Sequence, residues 1–182
     1  MDKRIEQSQK RIKETFIGLL ENKDISKITV SEICKGAEVN RATFYKYYED
    51  QYDLLEKIQT EYINKLKEIP PAAGKKIHLF VTEILDIIYD NRREVELFSK
   101  VSGIYFLNPF VETCYNICYD LWKKRNPKLS DDDISRASVF LFNGSLGVIA
   151  WWMARGFKDD KESIAQAIEN LSYRGIKSTL KL

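Results

Sequence analysis

Residues 29–55 read TVSEICKGAEVNRATFYKYYEDQYDLL, and this stretch decides the fold. It predicts two short helices, a tight turn between them and the start of a longer third helix. Thr29 and Glu32 fit the S/T-x-x-E capping box, in which a hydroxyl and a carboxylate satisfy backbone amides at a helix start. Asn40 is a favourable N-cap for the second helix, which is predicted over 41–47. Two short helices joined in this way form a helix-turn-helix motif.

The second helix carries more polar and aromatic side chains than a short helix can bury. Asn40 and Arg41 can hydrogen-bond to base edges, and Thr43 offers a hydroxyl or a methyl group. Thr29, Ser31 and the N-cap amides suit phosphates. By helix spacing alone, a helical hairpin with a solvated polar face explains the segment equally well. The DNA interpretation predicts contacts from Arg4, Thr29, Ser31, Asn40, Arg41, Ala42, Thr43, Tyr45, Lys46 and Tyr47.

The detailed pattern separates these interpretations. The run from Ile33 to Leu55 resembles the TetR/AcrR family of transcriptional regulators, whose members show a pattern similar to I-A-x-x-A-G-V-S-x-x-T-F-Y-x-H-F-x-N-K-E-x-L. The spacing holds without a gap, and the resemblance covers about residues 5–66. It implies a DNA-binding regulator whose C-terminal domain dimerises through its last two long helices. The matching residues are Ile33, Ala37, Val39, Thr43, Phe44, Tyr45, Tyr48, Asp50 and Leu54.

Three residues depart from that pattern. Glu38 stands where the family usually has glycine in the turn, which costs up to about 1 kcal/mol if the position needs a positive φ. Tyr47 takes a slot often held by histidine and still donates to a phosphate. Gln51 replaces a common lysine that approaches the DNA backbone, so about one phosphate contact is lost.

The composition favours an all-α fold. The 182 residues include only 8 Gly and 4 Pro, so long stretches lack helix breakers. Helical periodicity recurs to the C-terminus and predicts nine helices with no convincing strand. The net charge of +2 says little about nucleic acid, but residues 1–47 hold ten Lys/Arg against seven Asp/Glu. This excess permits phosphate binding without demonstrating it.

The sequence Pro-Pro-Ala-Ala-Gly at 70–74 marks the clearest boundary. It predicts a break in direction, because the stretch is too short for a flexible linker. The predicted organisation is a helix-turn-helix domain over 1–48, a connecting helix over about 50–68, and a helical dimerisation and effector-binding domain over 72–182.

Two helix starts stand out in the second part of the chain. Asn108 is an expected N-cap because Pro109 then takes the first helical position. Ser130 is an expected N-cap, since three aspartates follow it and complement the helix dipole. The helix from Asn108 to about Lys124 is apolar nearly all round, which predicts a place at the centre of a bundle.

Small residues interrupt a bulky helix at 143–147 and at Ala150. They permit close helix approach, either within the chain or between two chains. We favour a homodimeric four-helix bundle, because operator recognition by a helix-turn-helix usually needs two copies.

An effector site is predicted by the family resemblance, because members often bind an apolar or aromatic molecule between the central helices. The aromatic residues of the second part also supply polar tips that a simple core does not require. The lone His78 lies on an apolar helix face and is more readily explained as structural. The candidate lining residues are His78, Tyr105, Phe106, Phe110, Cys114, Tyr115, Tyr119, Trp122, Phe142 and Trp151.

Enzymatic function finds no support in the sequence. There is no Gly-rich phosphate loop, no metal-ligand set and no nucleophile beside a base, so no catalytic residue, metal or cofactor is predicted. Cys34, Cys114 and Cys118 are expected to be buried thiols. With no apolar signal core and no apolar run near about 20 residues, the expected location is the cytoplasm, without a membrane partner. The expected partners are operator DNA, a second copy and a small-molecule effector; the alternative is a regulator controlled by a protein partner with no small-molecule ligand.

Overall fold

The computed structural model describes residues 3–69 and 77–180, and all regular structure in these ranges is helical. The prediction of an all-α fold is confirmed, and nine α-helices lie in the described ranges. Two short 3-10 helices, Ile25–Lys27 and Ile104–Leu107, join some of them. The predicted boundary at 70–74 lies outside the described residues. The helices are α1 (Lys3–Leu20), α2 (Val30–Gly36), α3 (Arg41–Tyr45), α4 (Gln51–Lys67), α5 (Ile77–Asp90), α6 (Arg92–Ser102), α7 (Asn108–Arg125), α8 (Asp131–Ala154) and α9 (Lys161–Leu180).

The chain divides into two compact units. The first contains Met1–Tyr62 and Arg93–Gly103, and the second contains Ile63–Arg92 and Ile104–Leu182. This division differs from the one expected from sequence, which placed everything after residue 72 in one domain. Helix α6 groups with the helix-turn-helix because its apolar side packs there.

The first unit is built on fully buried side chains from α1 to α4. Ile12 and Phe16 of α1 and Phe44 of α3 have no exposed surface. Helices α1 and α2 approach so closely that a Cβ on Gly36 would lie 2.6 Å from the Cγ2 atom of Thr15. Glycine is therefore favoured at this crossing, because any side chain would force Thr15 to move.

Helix α6 is fixed to α4, and to Glu21 directly after α1, by polar and aromatic contacts. The Arg93 Nε atom donates to Glu21 Oε1 at 2.6 Å. The Gln59 Nε2 atom donates to Ser102 Oγ at 3.1 Å. Phe98 is fully buried and meets the Tyr62 ring edge-on at 5.4 Å.

The second unit centres on Trp152 of α8, which is fully buried. Its ring stacks on Tyr89 at 6.0 Å and meets Phe157 edge-on at 4.8 Å. Its indole Nε1 donates to the backbone oxygen of Asp159 at 2.8 Å, so the buried N–H is satisfied. The tryptophan thereby fixes the turn that leads from α8 into α9.

Two sequence expectations for the second part need correction, and a third is confirmed. Asn108 is not the N-cap of α7, because the preceding 3-10 helix leads into it; Leu107 takes the cap position with helical φ and ψ and without a side-chain bond. Helix α7 is not buried all round, since of its residues only Phe110, Cys114 and Trp122 are buried. Ser130 does cap α8, where its hydroxyl accepts from the backbone N–H of Asp133.

Helix α8 also corrects the expectation that no apolar stretch reaches membrane-spanning length. By length and composition alone it is long and apolar enough to cross a membrane. The core helix of a soluble protein satisfies the same criterion, and α8 packs against α9 with Ile149, Trp152 and Met153 buried.

Candidate nucleic-acid interface

The turn between α2 and α3 contains Glu38 at the position where the family pattern has glycine. Glu38 has a φ of 53°, a left-handed conformation that non-glycine residues rarely adopt. The turn closes through the Val39 N–H, which donates to the Cys34 oxygen at 3.0 Å. The Glu38 carboxylate lies 3.7 Å from the Arg11 guanidinium of α1. Glu38 therefore holds the left-handed conformation for which the sequence pattern favours glycine.

The start of α2 is a complete capping box, as predicted. The Glu32 N–H donates to the Thr29 hydroxyl at 3.3 Å, and the Thr29 N–H donates to the Glu32 carboxylate at 3.0 Å. The ion pair with Lys23, together with the bonds from Thr29, lowers the pKa of Glu32 to about 2. The capping carboxylate is ionised at any physiological pH.

The start of α3 is capped by Asn40, also as predicted. Its Oδ1 atom accepts from the Thr43 N–H at 2.7 Å and from the Thr43 hydroxyl at 2.8 Å. Phe44 is the one buried side chain of α3, while Arg41 and Ala42 are exposed. The helix ends at Tyr45, two residues earlier than expected, so Lys46 and Tyr47 lie in the following turn.

A side-chain bond joins the two helices of the motif on their exposed side. The Arg41 Nη2 atom donates to the Ser31 hydroxyl oxygen, ten residues earlier in the chain. Both residues are exposed. The guanidinium is therefore held at the start of α3 by the start of α2.

Lys57 of α4 binds the turn that follows α3. It was not among the residues predicted from the sequence. Its Nζ atom donates to the Tyr47 backbone oxygen at 2.8 Å and to the Asp53 carboxylate at 2.9 Å. It also lies 5.6 Å from the centre of the Tyr48 ring. The i,i+4 pairing of Asp53 with Lys57 was visible in the sequence, but the bond to Tyr47 was not.

The predicted DNA-contacting residues are exposed except for Thr43 and Tyr47, which are partly buried. Tyr45 is half exposed and packs edge-on against Phe44 at 5.7 Å. The Lys46 ammonium lies 5.4 Å from the centre of the Tyr47 ring. Arg4 is exposed in the first turn of α1. Thr29 and Asn40 are exposed, but their side-chain oxygens already act as helix caps.

The candidate effector residues divide by exposure. Phe106, Phe110, Cys114 and Trp122 are buried, whereas His78, Tyr115, Tyr119 and Phe142 are partly buried. Tyr105 and Trp151 are 67% and 50% exposed, so within the single chain neither is enclosed.

The hydroxyls of Tyr115 and Tyr119 have partners inside the second unit. The Tyr119 hydroxyl donates to Asp131 at 2.9 Å, and the Tyr115 hydroxyl lies 3.3 Å from the Ser135 hydroxyl. His78 joins α5 to α9: its Nε2 lies 2.8 Å from Glu162 Oε1 and its Nδ1 lies 3.2 Å from Glu169 Oε2. Helix-to-helix pairing explains the two tyrosine hydroxyls, whereas His78 Nδ1 lies near Glu169 but has no hydrogen-bond partner within the described ranges.

The two cysteines of α7 are poorly reactive thiols. Burial raises the pKa of Cys114 to about 12 and that of Cys118 to about 11. Both thiols are therefore protonated at neutral pH, which fits the expected role as small apolar side chains.

Comparison with known proteins identifies the family. A family model described as bacterial regulatory proteins, tetR family, matches residues 17–58. A second, described as a transcriptional regulator C-terminal region of the TetR type, matches residues 75–174, more than half of the chain. The chain belongs to the TetR family. It is a DNA-binding transcriptional regulator and not an enzyme.

The uncharacterised HTH-type transcriptional regulator YxbF of Bacillus subtilis (strain 168) is 38% identical over 111 residues. The match covers 61% of this chain but only 27% of that relative's length. Among solved structures, the dihydroxyacetone kinase operon activator DhaS gives a TM-score of 0.70 at 22% identity, covering 94% of this chain and 97% of that one. A TetR regulator from Streptococcus agalactiae 2603V gives 0.69 at 22% identity, covering 94% and 96% of the two chains. At these identities the structural likeness shows the fold alone.

Proposed function

We propose that this TetR-family protein is a cytoplasmic homodimer that represses transcription from a two-fold operator until a small apolar or aromatic effector weakens its hold on DNA. The single observation that carries the proposal is the surface of the helix-turn-helix. Above the buried Phe44, α3 and the turn after it expose Arg41 and Lys46. A short helix with one buried anchor and a cationic exposed side suits the major groove.

The exposed face of α8 supports the homodimer. Phe140 is 73% exposed and Val139 is 62% exposed, although both are large apolar residues. A Cβ placed on Gly144 or Gly147 of the same helix would meet nothing within 4 Å. Within the described residues these glycines are thus not used for close packing, and they leave room for a second helix to approach. A two-fold contact presents the same patch on both copies, so an apolar stripe with small residues is self-complementary.

This face accounts for the apolar character of α8 without a membrane. A second copy covers Phe140 and Trp151 as well as a bilayer would, and α9 already covers the opposite side of the helix. The dimer then carries two copies of α3, which the helix-turn-helix geometry places about 34–36 Å apart, or somewhat more on a stretched operator.

A buried, unpartnered hydroxyl supports a small-molecule effector. Ser138 is 1% exposed, and within the described ranges its hydroxyl has no hydrogen-bond partner. Phe110, Cys114 and Trp122 supply buried apolar surface in the same unit. A bound apolar or aromatic molecule with one polar group would satisfy the Ser138 hydroxyl, because burying an unsatisfied hydroxyl is costly.

Control by a protein partner is the competing function, and a different observation favours it. Tyr105 and Leu79, both in the second unit, are 67% and 51% exposed. Exposed large apolar groups mark interaction sites when they form a patch. A regulator of this kind would bind no small molecule.

The test combines assembly, DNA binding and ligand binding. Light scattering on the purified protein is expected to give a dimer at micromolar concentration, and a monomer would remove the dimer proposal. A reporter fused to the protein's own upstream region is expected to rise when the gene is deleted. The reporter is scored in both directions, since one structural relative, DhaS, is an operon activator.

A thermal-shift screen of apolar and aromatic compounds then addresses the effector. A compound that stabilises the protein and lowers operator affinity by about 5- to 150-fold supports the proposal. If no compound does both, control by a protein partner takes its place.

A further inference from the structure

The start of α3 exposes hydrogen-bond donors, while its main side-chain acceptor, the Asn40 amide oxygen, is already bonded within the chain. Asn40 Oδ1 accepts two bonds from Thr43, so the amide of Asn40 has its donor, Nδ2, left for DNA. Arg41 is a donor without acceptors, and so is Lys46. The exposed side of this segment is therefore matched to acceptor atoms on the base edges.

This donor pattern discriminates among bases. Guanine offers two acceptors, N7 and O6, in the major groove, whereas cytosine offers a donor and adenine offers one donor with one acceptor. Reading adenine through asparagine needs both the donor and the acceptor of the amide, and the cap formed with Thr43 occupies the acceptor of Asn40. A guanidinium needs no acceptor to pair with guanine.

The bond from Arg41 to Ser31 orients the guanidinium. Arginine has five N–H donors in a rigid planar fork, so one bond to the Ser31 hydroxyl leaves a pair for a base. A long side chain loses rotamer freedom when it binds, and a contact that already holds it reduces that loss. Ser31 lies on α2, so it restrains the guanidinium from outside the helix that carries it.

We propose that Arg41 reads a guanine in each operator half-site and that Ser31 is the residue that positions it. The inference rests on the proposed use of α3 in the major groove and deepens it by naming the base. Arg41 touches the DNA, and Ser31 acts through Arg41. The protein thus selects for a guanine through a contact between its two motif helices.

The experiment begins with selection from a randomised duplex library, using the full-length protein. The selected duplex is then remade with 7-deazaguanine at each guanine in turn, which removes only the N7 acceptor. Inosine at the same positions is the control, because it keeps N7 and O6 and lacks only the minor-groove amino group. One guanine per half-site is expected to lose roughly 5- to 150-fold in affinity with 7-deazaguanine. Inosine at that position is expected to have little effect.

Three variants assign the contact. Arg41→Ala should bind the guanine and 7-deazaguanine duplexes equally, because the donor fork is gone. Ser31→Ala should reduce the ratio of the two affinities by about 2- to 10-fold, in keeping with the loss of one hydrogen bond. Ser31→Thr keeps a hydroxyl and should restore the ratio.

Lys35→Ala is the matched contrast, since Lys35 is exposed on α2 four residues after Ser31. It removes a charge and is expected to leave the ratio of the two affinities unchanged. Circular dichroism of each variant checks that the helices are intact, so a change in the ratio reports orientation.

The outcomes separate the two proposals. If selection yields no preferred sequence, the proposed function fails. If a sequence is selected but no guanine N7 matters, or Arg41→Ala keeps the sensitivity to 7-deazaguanine, the guanine assignment is overturned and the regulator stands. An unchanged ratio in Ser31→Ala overturns the positioning role alone.

Discussion

Helices α3 and α8 expose opposite kinds of surface, and the comparison shows two ways in which a helix is prepared for a partner. Helix α3 has five residues, buries Phe44 and holds its polar groups in place with local bonds such as that of Asn40 to Thr43. Helix α8 has 24 residues and leaves Phe140 and Trp151 exposed beside two uncrowded glycines. The polar side chains of α3 are held in place by bonds within the chain. The apolar side chains of α8 would instead gain stability from burial against a partner.

The largest expected effect on stability comes from removing the buried side chain that anchors α3. Phe44→Ala removes a fully buried aromatic ring and should lower the free energy of unfolding by about 3–5 kcal/mol, because it leaves a cavity between α3 and its neighbours. Chemical denaturation followed by circular dichroism measures the change. Tyr45→Ala is the control, since Tyr45 is half exposed and its loss should cost far less. Equal losses in the two variants would show that α3 is not anchored by Phe44.

The next effect concerns the apolar face of α8. Phe140→Glu places a charge at the centre of the proposed dimer contact and should weaken dimerisation by about 2 kcal/mol or more, roughly 30-fold. Sedimentation equilibrium measures the dissociation constant. Leu79→Glu makes the same kind of change at an exposed apolar residue of α5 and should leave the dimer intact. A dimer unaffected by Phe140→Glu would place the interface elsewhere.

The sequence predicted three of the helix caps correctly because caps are local. The bonds of Thr29, Asn40 and Ser130 each link residues three apart, so the motif alone indicates them. Asn108 failed as a cap because a cap residue needs extended backbone, and here the preceding 3-10 helix continues into α7. Residue type alone does not reveal that conformation.

Contacts between distant residues were beyond the sequence. Periodicity shows which side of a helix is apolar, but not which helix will cover it. It therefore did not reveal that Arg93 pairs with Glu21, or that α6 belongs with the helix-turn-helix unit. For the same reason the sequence did not predict the bond from Lys57 to Tyr47 or the bond from Arg41 to Ser31.

A smaller effect tests the close approach of α1 and α2 beneath the motif. Gly36→Ala places a methyl group 2.6 Å from Thr15 Cγ2 and should cost about 1–3 kcal/mol of stability, because one of the two must move. The double variant with Thr15→Ser removes that methyl and should recover part of the loss. Gly18→Ala is the control on α1 itself, where the added methyl meets nothing within 4 Å in the described part of the chain. The absence of any recovery in the double variant would mean that Thr15 is not what limits the crossing.

The smallest effect concerns the turn itself, and its sign is the informative part. Glu38 adopts a φ of 53°, so Glu38→Gly should raise the free energy of unfolding by up to about 1 kcal/mol, since glycine takes this conformation without a Cβ penalty. The lost contact with Arg11 subtracts little, because both side chains are largely exposed. Glu56→Gly is the matched control: Glu56 is exposed in the interior of α4, where glycine should cost about 1 kcal/mol. Denaturation curves of the two variants should therefore move in opposite directions. A shift of Glu38→Gly to lower stability would mean that the Arg11 contact outweighs the backbone strain, and that the turn is held by charge.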